Sequence, residues 1–252
     1  MSEPPRARLV LVHGFTQTRR SWDAVVAHLG DAYAGDDAVV VRVELPGHGA
    51  ASDRRLDFAA TARAIGHDGG VATYVGYSMG GRLCLRLAID RPELVRSLVL
   101  IGASPGLPTA AERDERRRSD ARLAADLEAA GTHAFLDRWL AQPLFETTTP
   151  SAEELAARRA NSAVGLAYAL RTLGPGAQEP LWGRLGELAM PVLLVAGEKD
   201  AKFRAIAERM AHAIGPTATT AWVEGAGHAV LLDQPEPLAR LIAEAAAHAA
   251  TR

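Results

Sequence analysis

Short apolar runs alternate with stretches of helical periodicity along most of the chain. Residues 7–12, 38–43, 71–77 and 94–101 are continuous runs rich in Val, Leu and Ile, which predicts interior parallel strands with both faces covered. Helical spacing marks 22–29, with Ser21 placed to cap it, 57–65, and the segment from Gly81 to Ala88. Strand signals return at 191–196 and 217–223, and Pro235 or Pro237 opens a last helix. Regular alternation of strand and helix argues for an α/β architecture with a mostly parallel sheet and right-handed crossovers.

The alternation stops over 103–188, where Ala, Arg, Glu and Leu recur at helical spacing without a strand. So long an interruption cannot be a simple connection, and it predicts a helical lid over one end of the sheet. Pro108, Pro143, Pro150 and the Gly174-Pro175-Gly176 turn divide this lid into four helices. The core is then expected from 1–102 and 189–252.

Composition narrows the picture. A chain of 252 residues with 48% hydrophobic content can fill one large core. Its net charge of −2, without a basic tail or block of like charge, gives no reason to expect a nucleic-acid or membrane partner. The lone cysteine, Cys84, suits a reducing compartment and lies among leucines, where packing is its expected role. Residues 1–6 lack the apolar region of a signal peptide, so a soluble, cytoplasmic protein is expected. Oligomeric state is left open.

The chemistry concentrates at strand ends. Gly76-Tyr77-Ser78-Met79-Gly80 is a G-x-S-x-G stretch between a predicted strand and helix, a context that forces Ser78 into a sharp, strained turn and exposes its hydroxyl. Asp200 and His228 follow the next two predicted strands, in the chain order Ser, Asp, His. Open α/β sheets bind ligands at this edge, and in such a triad a neutral His takes the serine proton while the carboxylate fixes its tautomer. Asp233 is a rival carboxylate, but it comes after His228. His13 and His48 read as loop-structuring residues, and His28, His67, His133, His212 and His248 as solvent-exposed ones. No H-x-x-x-H or C-x-x-C spacing suggests a metal.

With His13-Gly14-Phe15, Pro46-Gly47-His48-Gly49, the serine turn, Asp200 and His228, the sequence resembles the α/β-hydrolase superfamily along its whole length. That resemblance implies an α/β-hydrolase fold with a helical lid. It also implies an oxyanion hole made by the backbone N–H groups of Phe15 and Met79.

Three segments are similar to a narrower group: Gly76 to Arg82, Leu170 to Gly174 with Gln178 to Trp182, and Gly197 to Phe203. The group is the 2-succinyl-6-hydroxy-2,4-cyclohexadiene-1-carboxylate synthases of menaquinone biosynthesis, which are lyases rather than hydrolases. The resemblance implies that Ser78 acts as a base, that no cofactor is needed, and that a small polycarboxylate is the substrate. Arginine forks pair well with carboxylates. Arg82 stands one helical turn after Ser78. Family resemblance adds Tyr77, Arg116, Trp139 and Arg159, the last with Arg158 as the neighbouring register. For Arg116 a charged helix face is the competing explanation, with Glu112–Arg116 and Asp114–Arg118 at i,i+4 spacing. Tyr77 has the alternative of packing beneath the serine turn. A hydrolase of small esters or C–C bonds on the same triad, and a binding module on the same fold, are the alternatives to the lyase.

Overall fold

In the computed structural model, which describes residues 7–30, 33 and 38–250, six strands form one sheet. They are β1 (Ala7–Val12), β2 (Ala38–Val43), β3 (Ala72–Tyr77), β4 (Val95–Ile101), β5 (Val192–Gly197) and β6 (Ala218–Val223). Their spatial order is β2-β1-β3-β4-β5-β6, and every pairing is parallel. The reading of the N-terminal residues 1–6 lies outside the described residues, as does the side chain of His248. Among the described residues no helix is long and apolar enough to cross a membrane.

Period-two alternation sorts each strand between two cores. Val10, Val12, Tyr74, Leu98, Leu100, Val192 and Leu194 face one side. There they pack against α2 (Phe58–Gly69), α3 (Met79–Asp90) and, later in the chain, α7 (Ala201–Ile214). Leu9, Leu11, Val75, Tyr77, Val99, Ile101 and Val195 face the other. They meet α1 (Asp23–Ala27), α8 (Val230–Asp233) and α9 (Pro235–Ala250). Such double coverage is why these strands read as unbroken apolar runs. Cys84 is buried in the first core, where burial pushes its thiol well up.

The first helix differs from expectation. A 3-10 turn at Arg19–Trp22 precedes a short α1, and Thr18 rather than Ser21 caps it, accepting from Arg20 N–H at 3.3 Å. Ser21 is drawn elsewhere: its hydroxyl donates to Glu154 Oε1 at 2.7 Å, 133 residues along the chain.

Between β4 and β5 lie α4 (Ala110–Leu140), α5 (Ala152–Arg159) and α6 (Ala163–Leu173). Thr109, Ser151 and Ser162 cap them, the first in a reciprocal capping box with Glu112. Gly131, at φ 79°, breaks α4 in two, a kink that no proline announces. Ala124, Leu127 and Phe135 of α4 pack on Leu166, Ala167 and Leu170 of α6, giving this insertion a small core of its own, with Phe15 of the sheet domain against it.

The chain runs outward from β1 to β2, then returns past β1 to β3. The direction of winding therefore reverses between β1 and β3, and a crevice opens at their C-terminal ends. Both the His13-Gly14-Phe15 loop and Ser78 stand there.

Candidate active site

Ser78 sits between β3 and α3 at φ 50° and ψ −107°, one of two described non-glycine residues with positive φ. Close packing holds it there. A side chain at Gly80 would come within 2.2 Å of the Val12 carbonyl oxygen, and one at Gly76 within 2.5 Å of Gly81 Cα, so both flanks of the turn must be glycine. Ser78 N–H donates to the Ile101 carbonyl at 2.8 Å, which ties the turn to the end of β4.

His228 Nε2 lies 3.4 Å from Ser78 Oγ, and its Nδ1 lies 2.8 Å from Asp200 Oδ2. Asp200 uses its other oxygen to cap α7, accepting from Phe203 N–H at 3.1 Å. One carboxylate thus orients the imidazole and is itself oriented by a helix. The rings of Phe203, Tyr77 and Phe145 surround the imidazole at 4.5, 5.4 and 6.1 Å between centroids. Asp233 is engaged elsewhere: its Oδ2 accepts from Gly227 N–H at 2.8 Å and from Thr147 Oγ1 at 2.9 Å.

Met79 begins α3, so its backbone N–H has no acceptor within the helix and sits at the positive end of the dipole. Across the crevice, Phe15 precedes Thr16, the second strained residue, at φ 67°. Thr16 is held from several sides. Its N–H donates to His48 Nε2 at 3.3 Å, its carbonyl accepts from Asn161 Nδ2 at 2.8 Å, and its hydroxyl accepts from Arg158 at 3.3 Å. Asn161 Oδ1 also accepts from Gly49 N–H at 2.7 Å, stitching the insertion to both loops. His48 is fully buried; that burial, with His13 nearby, lowers its pKa to about 3, so it stays a neutral acceptor. His13 donates from Nδ1 to the Gly14 carbonyl and accepts from Leu45 N–H, a purely structural pair of bonds.

The cavity beside Ser78 and His228 is lined by Tyr77, Arg82, Arg116, Trp139, Arg158 and Lys202 among others, and by no carboxylate side chain among the described residues. Arg82 is 7% exposed and donates only to neutral acceptors, Gln178 Oε1 at 3.1 Å and the Leu173 carbonyl at 2.7 Å. Burial and the neighbouring Arg116 push its guanidinium down to about 9, against the pull of Asp120, so it remains charged at neutral pH. Arg116 pairs with Asp120 at 2.8 Å rather than with Glu112, which is occupied by its capping box. The other expected pair is replaced too, since Asp114 binds Arg117 and Arg118 binds Glu115.

Arg159 does not reach the cavity. It points outward and pairs with Asp137 at 3.0 Å, while Arg158, 2% exposed, faces inward and donates to Glu154 at 2.7 Å. One residue of helix turns the side chain by about 100°, so the buried face of α5 decides between them. Tyr77 packs under the serine turn, its ring against Gly14 and burial pushing its hydroxyl up. Gln17, Asn161, Glu154 and Lys202 were not anticipated. Only Lys202 carried a signal, as the residue two beyond Asp200 in a segment already set apart.

The profile of the alpha/beta hydrolase family matches residues 9–241. A protein of Bacillus subtilis (strain 168), provisionally named for 2-succinyl-6-hydroxy-2,4-cyclohexadiene-1-carboxylate synthase activity, is 34% identical over 94% of this chain and 89% of its own. The 2-succinyl-6-hydroxy-2,4-cyclohexadiene-1-carboxylate synthase of Citrobacter koseri is 33% identical over 82% and 83%. MenH from S. aureus superimposes with a TM-score of 0.87 over 98% of this chain and 95% of that one, at 30% identity. The chain belongs to the alpha/beta hydrolase family and, within it, to the 2-succinyl-6-hydroxy-2,4-cyclohexadiene-1-carboxylate synthases.

Proposed function

We propose that this protein is a carbon–oxygen lyase of menaquinone biosynthesis. It eliminates pyruvate from 2-succinyl-5-enolpyruvyl-6-hydroxy-3-cyclohexene-1-carboxylate to give 2-succinyl-6-hydroxy-2,4-cyclohexadiene-1-carboxylate. The observation that carries this reading is a serine–histidine pair opening onto a cavity lined by Arg82, Arg116, Arg158 and Lys202 and, among the described residues, by no acidic side chain. Arg116 and Arg158 have protein carboxylates beside them, but Arg82 and Lys202 have no ion-pair partner among the described residues, so a substrate with carboxylates on ring, succinyl and enolpyruvyl groups supplies charge that a simple ester would not. Arg82 is the sharpest case, because among the described residues its hydrogen-bond acceptors are both neutral.

The chemistry follows from the bond changes. Ser78 Oγ, with its own proton drawn to His228 Nε2 and the imidazolium balanced by Asp200, removes the ring proton beside the succinyl ketone. The electron pair of that C–H bond enters the ring as the 3,4 double bond shifts to 4,5, and the C5–O bond breaks. The departing enolpyruvate takes up a proton at its methylene carbon and leaves as pyruvate, so the reaction involves neither net oxidation nor water. In this reading the Phe15 and Met79 N–H groups hold negative charge on the ketone oxygen while the proton is away. Trp139 and Tyr77 provide apolar walls and the arginines fix the carboxylates.

Pyruvate release, followed by a coupled dehydrogenase with this substrate, tests the reading. Wild type should turn over, Ser78→Ala should lose most of its kcat, and Arg82→Ala should lose efficiency through a raised KM. A wild type that is inert here but hydrolyses a p-nitrophenyl ester through Ser78 would overturn the lyase and leave a hydrolase.

A further inference from the structure

Gln17 follows the strained Thr16 and is 1% exposed. Its Oε1 accepts from Gly14 N–H at 3.0 Å, and its own backbone N–H closes the same turn on the Gly14 carbonyl at 3.3 Å. A backbone N–H can only donate, so the atom facing Gly14 must be the amide oxygen, and the orientation of the carboxamide is thereby set. The NH2 group lies on the opposite side. It is buried and has no acceptor among the described residues, although Gln17 lines the cavity that contains Ser78.

The local alternatives are taken. The Gly14 carbonyl already accepts from Gln17 N–H, the Thr16 carbonyl from Asn161, and the Thr16 hydroxyl from Arg158. Native structures seldom leave a buried donor unmatched, and one that survives beside a cavity calls for an acceptor brought in by the ligand. A carboxylate oxygen is such an acceptor, and the strongest one when it is ionised. The guanidinium of Arg158, bonded to the residue just before Gln17, lines the same cavity.

We infer that Gln17 is a further substrate-binding residue, its carboxamide N–H donating to an oxygen of the same substrate carboxylate that Arg158 engages. This rests on the polycarboxylate reading of the cavity. It adds a neutral donor to a set of cations, and so adds direction without adding charge. Gln17 also clamps the turn that carries Phe15, and the test must separate the two roles.

Gln17→Glu preserves the oxygen that accepts from Gly14 and replaces the donor by a charged acceptor, and the uncharged Gln17→Met, in which KM should rise about threefold or more, separates loss of the donor from repulsion by the added charge. Steady-state pyruvate release by the full chain should show KM raised about tenfold or more, with kcat within about threefold and the thermal midpoint little changed. A folded Gln17→Glu with KM within about twofold of wild type overturns the inference, as does a fall in kcat at constant KM, the signature of a loosened turn. If Gln17→Glu does not fold, Gln17→Met decides: KM raised about threefold or more supports substrate binding, and an unchanged KM refutes it. If the wild type releases no pyruvate, the lyase reading fails separately. Calorimetric titration of wild type and Gln17→Glu with the same cyclohexene tricarboxylate then decides for Gln17: about tenfold weaker binding by the variant supports it, and equal binding refutes it.

Discussion

The two walls of the cavity are built differently. On the sheet side, Ser78, Asp200 and His228 follow the ends of β3, β5 and β6, and each is oriented by backbone geometry that the sheet imposes. On the insertion side, Arg116 and Arg158 project from helices held only by capping residues, a small apolar core and a few buried polar bonds. On the proposed mechanism the first wall supplies proton transfer together with Arg82 of α3 and Lys202 of α7, and the second adds Arg116 and Arg158 to the recognition of negative charge. The proton-transfer groups thus sit on the sheet alone while substrate choice is shared with the insertion, and changes in what covers the strand ends let one fold host many chemistries.

Mutations on the two walls should therefore fail in different ways. The largest effect is expected from Ser78→Ala, with kcat for pyruvate release down about 10²–10⁴-fold and KM nearly unchanged, measured by steady-state kinetics. A comparable rise in KM would mean that the serine mainly binds. Next come the cations. Arg82→Met should lower kcat/KM about 10–100-fold, chiefly through KM, since it removes a charge-assisted contact.

Arg158→Met adds a stability cost that Arg82→Met does not. Glu154 would be left buried and unpaired, which is worth about 3–5 kcal/mol in chemical denaturation. Arg158→Met with Glu154→Gln should recover much of that stability while KM stays high. Recovery of both would show that Arg158 serves the fold alone.

Asn161→Ala tests the seam between the walls. It removes bonds to Thr16 and Gly49, so it should destabilise by about 1–3 kcal/mol, and kcat should fall because Phe15 N–H is no longer held in place. Unchanged kcat would separate the seam from the chemistry. The smallest effect belongs to Arg159→Ala. Its ion pair with Asp137 is exposed and worth about 0–1 kcal/mol, and KM should stay within about twofold. A large rise in KM there would reverse the assignment of the two neighbouring arginines.

Much of the sheet wall was legible from residue order. Ser78, Asp200 and His228 could be grouped because each follows a short apolar run, and parallel strands put such positions on one edge. The insertion was legible only as helical. Arg158 and Arg159 are chemically identical neighbours, and nothing local says which faces inward until α5 docks on the loop containing Thr16. Ser21 has the residue type and position of a cap, yet its hydroxyl goes to Glu154, a partner unreachable by local reasoning. The break at Gly131 was hidden because an isolated glycine in a helical pattern is usually absorbed.

By itself, then, the sequence determined the strand and helix alternation, the strained serine turn and the triad order, because these depend on local periodicity and on which residues a tight turn admits. Tertiary structure alone decided which arginine enters the cavity and, among the described residues, that Arg82 meets neutral acceptors and that the Gln17 amide N–H is left without one. Those outcomes depend on contacts between segments far apart in the chain, where about 100° of helix rotation or one competing hydrogen bond redirects a side chain.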